Sequence, residues 1–259
     1  MPMRWNAESL WEAIAPELPG FSVEILPELG STNSELMRRA HTGAMDPVLL
    51  VAERQTAGRG RMGRTWQSAQ ETAGASLTFS LGLALAPQSW SGLSLAVGLA
   101  AAQALHPQLR LKWPNDMWLD GRKLGGILIE TASLGDSRYV VIGMGLNIAP
   151  PATQGVDQPS ACLQELLPEL DAPATLALLA LPLVRAVLRF GDTGFAPLRE
   201  AYHARDGLYG QQVLCTDGSC GQARGVDAGG ALLVHTAQGL KKITSAEVSV
   251  RPTPLPLDS

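Results

Sequence analysis

The sequence predicts an α+β fold: a mixed, mostly antiparallel sheet packed against helices, followed by a small C-terminal β-barrel of SH3-like size. Three observations carry this. Segments with strand and helix periodicity alternate over the first half of the chain. Four strand-like runs then follow closely between Arg110 and Asn147, with Asp120-Gly121 as a hairpin turn. After Asp206-Gly207 the character changes to short strands near 211–216, 221–226, 231–236, 239–243 and 246–250, separated by Asp-Gly, Gly-Gly and Gln-Gly turns. The expected boundary divides residues 1–205 from 206–259.

Taken in order, Ala7–Ala15 reads as a short amphipathic helix ended by Pro16 and Pro19-Gly20. Phe21–Leu26 is a strand. Thr32 and Glu35 form a capping box that opens a helix through His41, stopped by Gly43. Val48–Glu53 is a compact buried strand running into a loop of glycines and arginines. From Ala75 to Leu81 apolar and polar residues alternate with strand period. Leu93–Leu105 is a helix of small residues suited to close packing on a sheet. Strands follow at Arg110–Trp113, Met117–Leu119, Leu124–Glu130 and Tyr139–Asn147. Pro150–Pro159, rich in Pro, Gly and Gln, reads as a mobile loop. Helices at Ala174–Phe190, kinked at Pro182, and Ala196–Arg205 complete the first domain.

Composition narrows the function. Hydrophobic residues make up 46% and charged residues 17%, as in a well-packed globular protein. The net charge is −4, which argues against the extended basic face that nucleic-acid binding needs. Cys162, Cys215 and Cys220 lack CxxC spacing, and the four histidines are scattered, so neither a disulfide framework nor a zinc site is indicated. The first twenty residues contain Glu8, Glu12 and Glu17 and no apolar core, unlike an export signal. The longest apolar run, Leu93–Leu105, is shorter than the ~20 residues a membrane crossing requires. A cytoplasmic enzyme with no membrane partner is expected.

The loop Gly58-Arg59-Gly60-Arg61-Met62-Gly63-Arg64-Thr65-Trp66 places arginines on a backbone stripped of side chains, a combination suited to an anion. Its literal GxGxxG is not a dinucleotide site: a strand follows instead of a helix, and no acidic residue lies between Glu71 and Asp116. A kinase glycine loop is also excluded, because HRD and DFG are absent. Lysine occurs only at 112, 123, 241 and 242. The first falls in Lys112-Trp113-Pro114-Asn115-Asp116, at the end of an apolar strand where an ammonium needs an anionic partner. Lys123 opens Lys123-Leu124-Gly125-Gly126-Ile127-Leu128-Ile129-Glu130, whose paired glycines mark close approach of a ligand or another backbone. Gly143-Met144-Gly145-Leu146-Asn147 ends a further apolar strand, either as a sheet crossing free of side chains or as part of a site.

Together the motifs GRGRxGRxW, KWPND, KLGGILIE and GxGxN, in that order, closely resemble the biotin protein ligase family. The resemblance runs from Leu26 to Asn147 and resumes at Gly225–Leu233 and Glu247–Arg251. It implies a class II synthetase-like, biotin–lipoate ligase-like catalytic domain with an SH3-like C-terminal domain. Some members begin with a winged helix–turn–helix that makes them repressors; only residues 1–20 precede the first strand here, so the monofunctional type is expected.

The resemblance also implies two chemical steps. Biotin and ATP form biotinyl-5′-AMP and pyrophosphate; a lysine of the biotin carboxyl carrier protein of acetyl-CoA carboxylase then takes the biotinyl group. Ser31, Thr32, Asn33 and Gln55 would meet the neutral ureido ring. Gly58, Arg59, Gly60, Arg61, Gly125 and Gly126 would complete the biotin site, and Lys123 would bridge the carboxylate and α-phosphate. Arg64, Lys112, Asn115 and Asn147 would serve the nucleotide, with Trp66 shielding adenine. Asp116 would orient the incoming lysine or accept its proton, and Asp116 with Asn147 would be the candidates for the Mg²⁺ shell. A homodimer stays open. The rivals are a lipoate–protein ligase or transferase, disfavoured by the GRGRxGR and KWPND pair, and a non-catalytic binding module built on the barrel.

Overall fold

Apolar patterning places most elements where the sequence predicts them. In this computed structural model, which describes residues 3–66, 74–150, 160–244 and 250–252, α1 (Ala7–Ile14) buries Leu10 and Ile14. β1 (Ser22–Leu26), α2 (Thr32–His41) and β2 (Val48–Ala52) follow. β3 (Ser76–Ala84) and α3 (Leu93–Leu105) lie on the far side of the glycine loop. β4 (Arg110–Lys112), β5 (Asp116–Leu119), β6 (Arg122–Leu134) and β7 (Ser137–Asn147) complete a seven-stranded sheet in the order β1-β2-β3-β7-β6-β5-β4. Only β1 and β2 pair in parallel; the other neighbours are antiparallel. The β5–β6 hairpin turns at Asp120 and Gly121, both with positive φ, 48° and 74°. That is the conformation a two-residue hairpin favours.

Both faces of the central strands are covered. Leu77, Phe79, Leu81 and Leu83 of β3 join the large core on the face covered by the long helix Ala172–Thr193 and α3, while α2 packs Leu36 and Ala40 against Leu50 and Val141 on the opposite face. The alternation in β3 therefore does not separate core from solvent: Thr78 and Ser80 are buried under α2.

The start of α2 differs from the expected capping box. Ser31, extended at φ −158°, is the N-cap, its Oγ accepting the Ser34 N–H at 3.4 Å. Thr32 is already helical and buried, and Glu35 pairs with Arg38 and Arg39 instead of reaching back to a cap.

Helix α4 (Ala172–Thr193) is longer than expected and runs unbroken through Pro182. By length and composition it is apolar enough to cross a membrane, which the sequence reading overlooked. Here it is a core helix, burying Leu176, Leu183, Val187 and Phe190 and packing on α3. Its cap is Asp171, whose Oδ1 accepts the Ala174 N–H at 2.8 Å. Asp171→Ala is expected to cost about 1 kcal/mol, seen as a fall of about 2–4 °C in Tm; an unchanged melting curve would show that the cap is redundant. Instead of one helix over 196–205, a 3₁₀ turn (Ala196–Leu198) leads into α5 (Arg199–His203).

The C-terminal strands β8 (Gln212–Cys215), β9 (Cys220–Val226), β10 (Leu232–Thr236), β11 (Gly239–Ile243) and β12 (Val250–Pro252) form an antiparallel sheet ordered β11-β10-β9-β8-β12. Residues 245–249, most of the expected fifth strand, lie outside the described residues, as do 151–159 of the expected mobile loop. The sheet docks beside β4: Trp113 Nε1 donates to the Gly230 carbonyl at 3.0 Å and Ser91 Oγ to that of Gly229 at 2.6 Å. All three cysteines are free thiols.

Candidate active site

The glycine loop folds back on itself as a short arch. Trp66 N–H donates to the Gly58 carbonyl at 2.9 Å and Gly60 N–H to that of Arg64 at 2.7 Å. A 3₁₀ turn, Arg61–Gly63, forms the tip, with Met62 and Gly63 at φ 57° and 71°. A Cβ on Gly58 would stand 2.5 Å from the Trp66 carbonyl oxygen. Gly58 is thus required by the crossing of two backbones, and its position is behind the cleft. Gly60, Arg59, Arg61, Arg64 and Trp66 line the cleft itself.

Cations converge at one end. Asp116 sits between two ammonium groups, Oδ1 2.7 Å from Lys123 Nζ and Oδ2 3.8 Å from Lys112 Nζ. Lys112 also lies over the Trp118 ring at 5.0 Å and Lys123 over Trp66 at 5.8 Å. Arg61 Nη1 donates to Asn115 Oδ1 at 3.3 Å, while Asn115 Nδ2 donates to the Ile127 carbonyl at 2.8 Å. Asn115 thereby ties the loop to the sheet. Burial pulls the pKa of Arg61 down; Asp116 opposes this and Arg64 adds to it. With Arg61 and Arg64 beside a single carboxylate that already holds two lysines, positive charge is in excess at this end and suits an anion.

The other end is neutral and closely packed. Ser31, Thr32, Asn33 and Gln55 all line it and are buried. Gln55 Oε1 accepts the Thr32 N–H at 2.8 Å. Asn33 Nδ2 donates to Glu130 Oε2 at 2.9 Å, and Ser80 Oγ donates to Asn33 Oδ1 at 2.6 Å. Arg59 is bound to Glu130 as well, Nη2 to Oε1 at 3.0 Å. Its guanidinium is neutralised there, apart from the Arg61–Lys112–Lys123 group.

Three predicted residues fall outside the cleft lining. Beside Gly58, Gly125 turns towards β7, where a Cβ would meet Leu146 Cδ2 at 2.4 Å and the Gly145 oxygen at 2.5 Å. Asn147 Nδ2 donates to the Ala161 carbonyl at 3.1 Å, an anchoring bond. Gly126, by contrast, faces Lys123 and Asp116. Residues the sequence reading did not select include Phe79 and Val250 in the lining, with Ser80 and Glu130 behind it; Gly143 and Gly145, read there as either a sheet crossing or part of a site, also line the cleft. The glycines of Gly143-x-Gly145 carried a usable signal. A Cβ on Gly143 would lie 2.0 Å from Asn33 Oδ1, and one on Gly145 2.4 Å from the Trp66 ring.

The segments that match known proteins contain the residues lining the cleft. Residues 29–147 match the biotin/lipoate A/B protein ligase family, and residues 210–251 match the biotin protein ligase C-terminal domain. The bifunctional ligase/repressor BirA of Escherichia coli is 36% identical over 92% of this chain and 77% of its own length. The chain belongs to the biotin protein ligase family. The biotin–[acetyl-CoA-carboxylase] ligase of Paracoccus denitrificans is 34% identical, over 86% of this chain and 98% of its own. The biotin protein ligase of Aquifex aeolicus, solved in complex with biotin and ATP, superposes with a TM-score of 0.74 at 27% identity, covering 89% of this chain and 99% of that one.

In this family setting the contact between Trp66 and Gly145 invites a direct test. Gly145→Ala is expected to displace the indole, at about 1–3 kcal/mol of overpacking, and to raise the KM for ATP while biotin binding stays near the wild-type value. Steady-state kinetics at saturating biotin measures this; an unaltered KM would remove Trp66 from the nucleotide site.

Proposed function

We propose that the chain activates biotin with ATP and transfers it to the acceptor lysine of a biotin carboxyl carrier protein, in the cytoplasm. The observation that carries this reading is the two-ended cleft. A small neutral ring with hydrogen-bonding edges suits the Ser31–Asn33 and Gln55 end, and two anions that must meet suit the cluster of Arg61, Lys112 and Lys123. We take residues 1–205 as the catalytic domain and 206–259 as a C-terminal domain that closes the cleft through Val250.

In the first step a biotin carboxylate oxygen forms a bond to the α-phosphorus as the bond to pyrophosphate breaks. Repulsion between carboxylate and triphosphate is the main obstacle, and cations fixed beforehand remove it without reorganising. Arg61, aimed by Asn115, faces the carboxylate and phosphate; Lys123 bridges them; Lys112 and Arg64 hold the remaining phosphates. In the second step the carrier's amine attacks the acyl carbon, AMP leaves, and Asp116 takes the proton once phosphates have drawn the two lysines away from it. Asn33 and Arg59, both held by Glu130, line the biotin end of the cleft.

Mg²⁺ would shield the triphosphate charge. Among the described residues the cleft lining offers it one carboxylate, Asp116, already flanked by two ammonium groups, and Asn147, which holds the Ala161 carbonyl through Nδ2, lies outside that lining. Such a donor set fits an ion carried mainly by phosphates and water. Incubation with ATP, Mg²⁺ and labelled biotin or lipoate tests the proposal. Adenylate from biotin alone, followed by transfer to apo-carrier, is the expected result; adenylate from lipoate alone, or from neither, overturns it.

A further inference from the structure

A file of buried polar groups runs behind the neutral end of the cleft. Thr32 Oγ1 lies 2.7 Å from Ser80 Oγ, which lies 2.6 Å from Asn33 Oδ1. Asn33 Nδ2 lies 2.9 Å from Glu130 Oε2 and 3.3 Å from the Leu128 carbonyl oxygen. Arg59 closes the file on Glu130 from the glycine loop. Ser80 is completely buried, and Thr32 and Asn33 are each 3% exposed. Water therefore has little access to reset the pattern.

Counting protons gives every bond a direction. A carboxylate and a main-chain carbonyl only accept, so Asn33 must turn its NH₂ towards Glu130 and Leu128. Its Oδ1 then faces Ser80 and takes the single proton of that hydroxyl. Ser80 has only lone pairs left for Thr32, so the Thr32 proton goes to Ser80. Were Thr32 to donate to Gln55 Oε1 instead, at 3.1 Å, two oxygens 2.7 Å apart would have no proton between them. Gln55 Oε1 already has the Thr32 N–H. What Thr32 Oγ1 offers the cleft is therefore a lone pair.

We propose that Glu130 is a positioning residue for substrate selection, whose carboxylate orients the Asn33–Ser80–Thr32 file so that Thr32 presents an acceptor to a ligand N–H. A ureido ring supplies that N–H; a dithiolane ring does not. The inference rests on the reading of this end as the ureido end of a biotin site.

Calorimetric biotin binding and the KM for ATP, measured for wild type, E130A, E130Q, S80A and the E130A/S80A double variant, test it. E130A is expected to weaken biotin binding about tenfold, the scale of one hydrogen bond to a charged group, with the KM for ATP unchanged. E130Q keeps an acceptor oxygen for Asn33 and should fall between wild type and E130A. S80A cuts the file without touching Glu130, so adding either Glu130 substitution to it should change biotin binding no further; the cycle can be closed with whichever variant folds better. Wild-type affinity in E130A, E130Q as weak as E130A, a parallel rise in the KM for ATP, or independent effects in the double variant would each overturn the inference. A wild-type protein that binds ATP but no biotin would overturn the underlying reading.

Discussion

Arg61→Gly is expected to release the acyl-adenylate. In the variant, biotinyl-AMP should leave the enzyme about 10- to 100-fold faster, the range for losing a charge-assisted bond to a phosphate, and should acylate exposed lysines on bystander proteins. The guanidinium it removes is half-buried and aimed by Asn115, itself fixed to the Ile127 carbonyl. Three nearby cations are already engaged: Arg59 is paired with Glu130, and Lys123 and Lys112 flank Asp116. Glycine at 61 would also loosen an arch whose tip already places Met62 and Gly63 at positive φ. Adenylate synthesis should suffer less than retention, because Lys123 still bridges the reacting groups. Single-turnover formation and release of labelled adenylate separate the two rates; release as slow as in wild type would place the phosphate elsewhere.

What the sequence disclosed and what it hid follow from which constraints are local. Arg61, Lys112 and Lys123 were legible because a cation on an apolar strand or a bare loop has few structural uses. The glycines were legible as close approaches, but not what they approach: Gly58 meets the Trp66 backbone and Gly125 meets β7, whereas Gly60 and Gly126 line the cleft. The helix cap was misplaced by one residue because Ser31, Thr32 and Asn33 are all competent caps. Tertiary contacts decide among them, by burying Thr32 and Asn33 against Gln55 and Ser80. Ser80 and Glu130 stayed hidden for a related reason. In a strand covered on both faces, alternation no longer tells an inward polar group from a solvated one. The expected α4 already ran through Pro182 and fell short only at its ends, because Asp171 caps the helix ahead of Ala172-Pro173 and Gly191 does not stop it before Gly194.

Lys123→Gln should be the most damaging single change to the first chemical step, slowing adenylate formation about 10²- to 10³-fold, as losing one preorganised charge stabiliser typically does. Biotin binding itself should change far less, since the neutral end of the cleft is untouched. Two effects combine in this variant. The bridging charge is lost where negative charge develops, and Asp116, deprived of its 2.7 Å partner, is left with Lys112 at 3.8 Å and faces the incoming phosphates. The second effect is separable. Adding Asp116→Asn to Lys123→Gln removes the exposed carboxylate and should recover part of the lost rate, although Asp116→Asn alone should impair transfer to the carrier. Pyrophosphate release under single-turnover conditions reports the first step, and carrier biotinylation from supplied biotinyl-AMP reports the second. If the double variant forms adenylate no faster than Lys123→Gln, Asp116 does not oppose the phosphates, and the two lysines then neutralise the nucleotide without its mediation.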